Sequence, residues 1–152
     1  MNYQDFIINP KDAQRILIGA SGKLGPKEFA QGLVFIVAAS LVLMLLSMIP
    51  VISLLALVAY LGLAFAWVCI FSKRFHDAGQ SGWMTLAAIG VAIVISALVG
   101  ILLNPVFGGA NYMTVGGTTA TGTGFFVQQM ITNVIVNGAL GFYMYRLKSV
   151  LI

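Results

Sequence analysis

Residues 29–71 read FAQGLVFIVAASLVLMLLSMIPVISLLALVAYLGLAFAWVCIF and contain no Asp, Glu, Lys or Arg. One continuous helix over this stretch would be about 64 Å long at roughly 1.5 Å per residue, twice the ~30 Å hydrocarbon core of a bilayer. Ser47, Pro50 and Ser53 stand near its middle. Pro50 has no amide proton, and its ring disfavours helix at Ile49. The stretch therefore predicts two membrane spans, residues 29–49 and 51–71, joined by a tight hairpin. A re-entrant pair that never crosses is the alternative.

Working outward, two further apolar runs of the same length follow, residues 83–103 and 125–145, again without a charged residue. Backbone groups in hydrocarbon must satisfy each other, so these runs are helices. Strand alternation is absent, and a barrel would need more segments. The whole chain agrees: of 152 residues 60% are apolar and 8% charged, with a mean hydropathy of +1.00. A soluble domain carries roughly 25% charged residues. The composition excludes a soluble enzyme, a disordered chain and a nucleic-acid binder. It predicts an all-α membrane protein, a bundle of four transmembrane helices.

The net charge is +4. Lys11, Arg15, Lys23 and Lys27 precede the first span, Lys73 and Arg74 lie between the second and third, and Arg146 and Lys148 follow the fourth. All eight bases then fall on one side, which the positive-inside rule makes cytoplasmic, with both termini inside. No cleavable signal is expected: the longest apolar stretch before residue 28, residues 16–20, is too short. The organisation expected is a cytoplasmic N-terminal segment, residues 1–27, and a transmembrane domain, residues 28–148. Within the former, residues 9–20 read as a short helix, with Asn9 as N-cap and Pro10 first. Ala13, Ile16, Leu17 and Ala20 share a face, so the helix either lies in the headgroup layer or packs on the adjacent loop. On the far side, residues 104–124 hold six Gly and five Thr without charge. That composition predicts a flexible or partner-ordered loop.

A single cysteine, Cys69, and a single histidine, His76, exclude an intrachain disulfide and a Cys/His zinc site. No cofactor or metal is expected. The most distinctive segment is the loop Lys73-Arg74-Phe75-His76-Asp77-Ala78-Gly79-Gln80-Ser81-Gly82-Trp83, with Gly22-Lys23-Leu24-Gly25-Pro26-Lys27-Glu28-Phe29 ahead of the first span. The pair resembles the domain-of-unknown-function 805 family of small bacterial inner-membrane proteins. Arg74, His76, Asp77, Gly79, Ser81, Gly82 and Trp83 match that family's R-x-H-D-x-G-x-S-G-W loop. Gly22, Lys27, Glu28 and Phe29 match its entry to the first span, with Lys23 in place of arginine. Ala30, Met84 and Gln80 depart from its usual tryptophans and lysine. The resemblance implies a four-helix architecture and no catalytic residue.

The loop has a simple physical reading. Lys73 and Arg74 anchor the second span at the headgroups, Gly79 and Gly82 permit a tight turn, and Ser81 caps the third span. Trp83, Trp67 and Tyr145 belong at the interface. A sharper reading is a lipid-phosphate site at the N-terminus of the third span, built from Arg74, His76, Ser81 and Lys27. No catalytic triad or metal-hydrolase set is present in the sequence.

The third span places Ala88, Ala92, Ser96 and Gly100 four apart, a stripe that lets another helix approach closely, and the second offers Gly62 and Ala66. The fourth carries Gln129, Asn133, Asn137, Gly141 and Tyr145, also four apart. Unsatisfied amides in hydrocarbon cost several kcal/mol, so this seam must face protein or water. It contains no acid or base to relay protons or hold a cation. The sequence predicts a non-enzymatic accessory or scaffold subunit of a larger membrane assembly, in contact with lipids and other subunits. The alternative is a lipid-headgroup-binding or small-solute membrane protein using the Arg-x-His-Asp segment.

Overall fold

The structure, a computed structural model, describes residues 10–18, 22–107 and 123–150. Five helices follow in order: α1 (Pro10–Leu17), α2 (Pro26–Leu46), α3 (Pro50–Asp77), α4 (Met84–Phe107) and α5 (Thr123–Arg146). No strand occurs among the described residues. The last four are long and apolar enough to cross a membrane, and the protein is a multi-pass membrane bundle. Asn9, Ala20 and residues 108–122, the bulk of the expected Gly/Thr loop, lie outside the described residues.

Local chemistry sets the ends. Gly25 is extended and Pro26 opens α2, with Glu28 in its first turn, where a negative charge suits the free amides. α2 stops at Leu46: the Ser47 amide bonds to Leu43 O at 2.8 Å and its hydroxyl donates to Met44 O at 2.7 Å. Ile49 is extended, as a residue before proline must be, and Pro50 begins α3. The hairpin expected at Pro50 is thus a turn of three residues, Ser47, Met48 and Ile49.

α3 corrects one expectation. It continues past Phe71 to Asp77, so Lys73 to Asp77 are its last turns, and only Ala78 to Trp83 form a loop. Its 28 residues span about 42 Å, beyond the ~30 Å core. A Schellman motif ends it: Gly79 adopts φ +72°, Gln80 N bonds to Phe75 O at 2.8 Å, and Gly79 N to His76 O at 3.1 Å. α4 likewise runs past Leu103 to Phe107, with Pro105 inside its last turn.

α2 packs on both α3 and α5, and α5 packs on α4, while α3 and α4 touch least among neighbouring spans. The core is centred on Phe29, Phe71 and Ile70, all fully buried. Phe29 meets the Phe71 ring edge-on at 5.2 Å, and Trp67 stacks on its other side at 3.9 Å. α1 packs on the end of α2 and α3 through Ile16, which is 1% exposed. Gly32 makes room there: a Cβ on it would lie 2.9 Å from Ile16 Cγ2.

The polar seam of α5 is satisfied inside the bundle. Asn137 Oδ1 accepts from Trp67 Nε1 at 2.9 Å, and Asn133 Oδ1 accepts from Ser40 Oγ at 3.3 Å. Trp67 is therefore held by a bundle amide and is not an interfacial anchor. The most buried polar row of α5 lies one residue earlier, at Gln128 and Thr132. Gln128 Nε2 donates to Gly100 O at 3.2 Å, joining α5 to α4. Gly141 lies directly against Leu33 of α2.

Candidate functional site

The segment Lys73–Asp77 gathers the polar chemistry at one end of the bundle. Lys73 is 4% exposed. Its ammonium donates to the carbonyls of Arg15, Ile16 (3.1 Å) and Ile18 (3.2 Å). The first two are among the last carbonyls of α1, which have no intrahelical partner, and Ile18 follows the helix. Arg74 is fully buried. Its Nε donates to Met144 O at 3.0 Å, Nη2 to Leu147 O, and Nη1 to Asp77 Oδ2 and to Ser149 Oγ at 3.1 Å. Two of these acceptors are carbonyls at the end of α5. Ser149 Oγ also donates to Asp77, and Val150 N bonds to Asp77 O at 2.9 Å. The tail after α5 is thereby tied to the end of α3.

Arg15 pairs with Glu28 on the outside of the same end. The hydrogen bond from Arg15 and the charge of Glu28 together raise the Arg15 pKa above its ordinary value. The pair is exposed and bridges α1 to α2 weakly.

His76 and Ser81 face a different space. A pocket of about 490 Å³ is lined by Ser72 and His76 of α3, Ser81, Gly82 and Trp83 of the loop, and Thr85 of α4. Gly82 is required by proximity: a Cβ would lie 2.8 Å from His76 Nε2 and 3.0 Å from Ser72 Oγ. Thr85 is 3% exposed, and its hydroxyl has no hydrogen-bond partner among the described residues. Trp83 is 77% exposed at the mouth, where an interfacial tryptophan belongs.

The four residues expected to bind a lipid phosphate are therefore not brought together. His76 and Ser81 share the pocket. Arg74 is turned away from it, because its donors are taken by carbonyls, Asp77 and Ser149. Lys27 is exposed in the first turn of α2 and does not line the pocket. The amides at the start of α4 are also engaged internally: Trp83 N with Ser81 Oγ (3.4 Å), and Met84, Thr85 and Leu86 with the carbonyls three residues before them. Ser72 and Thr85 were not singled out from the sequence. Their only signal is spacing, Ser72 one helical turn before His76 and Thr85 one turn after Ser81.

The packing residues divide. Ala88 and Gly100 are buried, Gly100 by Gln128. Ala92 is half-buried, and Ser96 lines an open apolar groove between α3 and α4. Asn133, Asn137 and Gly141 are inside the bundle, with Gln129 partly buried beside them. No cluster of three metal-ligating side chains exists among the described residues.

No curated protein and no solved structure matches the chain. A family model does match, over residues 17–116, a stretch that holds α2, α3, α4 and both sequence motifs. The chain belongs to the family described as protein of unknown function DUF805.

Proposed function

We propose that this protein is a non-enzymatic subunit of the bacterial inner membrane, an accessory or scaffold component that packs within a larger membrane assembly. The observation that carries this reading is the bareness of α4. Only 11% of its most apolar stretch is buried inside the chain, against 28% in each of the other three spans. Val94, Leu98, Ile101 and Leu102 point outward from it, on the side away from Ala92 and Ser96, which line the groove toward α3. An outward face this apolar and this little covered by its own chain offers a surface for a further helix.

The charged residues in the last turns of α3 support the same reading. Lys73, Arg74 and Asp77 act on helix ends of their own chain, a structural use that turns them away from the pocket.

The test is native mass spectrometry after gentle solubilisation, combined with a photo-cross-linker placed at Leu98. A defined complex and a discrete cross-linked membrane protein are expected. A solitary monomer with no protein adduct would overturn the assignment.

A further inference from the structure

The His76 pocket does not end at the headgroup level. It shares Val68 and Ile89 with an apolar groove of about 610 Å³, lined by Ala64, Trp67, Ile93, Ser96 and Ala97 among others. The two form one continuous channel along the loosely packed seam between α3 and α4. On α3 its wall is Ala64, Val68, Ser72 and His76, four residues apart and therefore on one face. On α4 it is Ala97, Ile93, Ile89 and Thr85, with the same spacing. Both walls change from apolar to polar toward the same end of the bundle, although the helices run in opposite directions.

We propose that this channel holds one glycerophospholipid, its head oxygens against Thr85, Ser72 and His76 and one acyl chain between α3 and α4. Three observations select this occupant. Thr85 lines the polar end, and its buried hydroxyl has no partner among the described residues, a lack that a phosphate or ester oxygen fills. Trp83, at the mouth, marks the headgroup level. The length is decisive: Ala64 to His76 is twelve residues of helix, about 18 Å. That matches a single leaflet, about half of the ~30 Å core, plus the ester region. A transmembrane helix of another protein needs a groove of the full thickness. The inference is independent of the assembly proposed above, since a bound lipid and a partner on the outer face of α4 can coexist.

The experiment uses the purified full-length protein in phosphatidylcholine nanodiscs doped with phosphatidylglycerol carrying a diazirine in one acyl chain. After irradiation, peptide mapping should find adducts concentrated several-fold on the channel positions, Val68 and Ile93 above all, over outward positions such as Leu54, Leu61 and Leu102. Thr85→Val removes the hydroxyl and Ala97→Phe fills the apolar end. Each should lower channel labelling several-fold while helical circular dichroism is kept. Ala97 is exposed, so that variant remains informative even if Thr85→Val misfolds. Even labelling of all exposed apolar positions overturns the proposal, as does channel labelling unchanged by Ala97→Phe. Displacement by inorganic phosphate alone would reassign the polar end to a soluble anion. A polypeptide, including a second copy of this chain, cross-linked through a benzophenone at Ala97 in native membranes would give the channel to a helix. Either result overturns the lipid.

Discussion

Lys73 and Arg74 are consecutive in the chain, yet each closes the end of a different helix: Lys73 that of α1, Arg74 that of α5. Adjacent residues on a helix diverge by about 100°, so the last turn of α3 can serve two neighbours at once. The carbonyls they meet carry the negative end of each helix, where a cation is favoured. One dipeptide thus ties together three elements far apart in sequence.

Removing the guanidinium should be severe. Arg74→Ala leaves Asp77 buried without its cation, strands the carbonyl of Leu147 and leaves that of Met144 with only the Leu147 amide. Breaking a buried pair by deleting one partner costs about 3–5 kcal/mol. Arg74→Lys should recover only part of this, because one ammonium cannot reproduce a planar fork that meets four acceptors. Thermal unfolding in detergent should show a large fall for Ala and an intermediate one for Lys. Equal stability of all three proteins would remove Arg74 from its closing role.

Lys73→Met should act locally. α1 has eight helical residues, far below the length at which a helix stands alone in water. Without the ammonium it keeps the Ile16 contact and the exposed Arg15–Glu28 pair, whose strength falls with salt. Hydrogen exchange should show the α1 amides losing protection while those of α2 to α5 keep theirs. Retained protection at high salt would mean that Ile16 alone holds α1.

The spans are legible in the sequence because lipid demands unbroken apolar runs, and residues 29–71 already force two helices and a turn. The end of α3 is not legible. Lys73 and Arg74 read as residues leaving the membrane, since the carbonyls they meet lie up to 58 and 73 positions away, and no local pattern announces them. The register of α5 was half legible. Gln129, Asn133 and Asn137 form one polar row and Gln128 and Thr132 another beside it. Which row is more buried depends on how closely α2 and α4 approach, which is set outside α5. The pocket was legible at His76 and Ser81 through the motif. Ser72 and Thr85 are ordinary helix residues until the loop brings α3 and α4 together.

That approach of α2 makes a sharp test at Gly141. A Cβ there would sit 2.3 Å from Leu33 Cδ2, so Gly141→Ala must push Leu33 to another rotamer, and Gly141→Val must move a helix. Overpacking of this kind costs about 1–3 kcal/mol. Leu33→Ala opens the space, so the double variant Leu33→Ala/Gly141→Val should be less destabilised than the sum of the single changes. A double-mutant cycle on unfolding measures this coupling. Strict additivity would mean that the two residues do not share the contact.

The same end of the bundle carries a prediction about orientation in the membrane. The hydrogen bonds of Lys73 and Arg74 bring the ends of α1, α3 and α5 together, so Arg15, Lys73, Arg74, Arg146 and Lys148 share one end, with Lys23 and Lys27 just before and within the first turn of α2. The Ser47–Ile49 turn at the opposite end carries no base. By the positive-inside rule we expect the turn outside and the α5 tail in the cytoplasm. In a Cys69→Ala background, Met48→Cys should react with a membrane-impermeant maleimide on intact spheroplasts, because Met48 is half exposed. Lys148→Cys should react only after permeabilisation. The reverse pattern would place every basic residue on the outer face, and the proposed lipid would then belong to the outer leaflet.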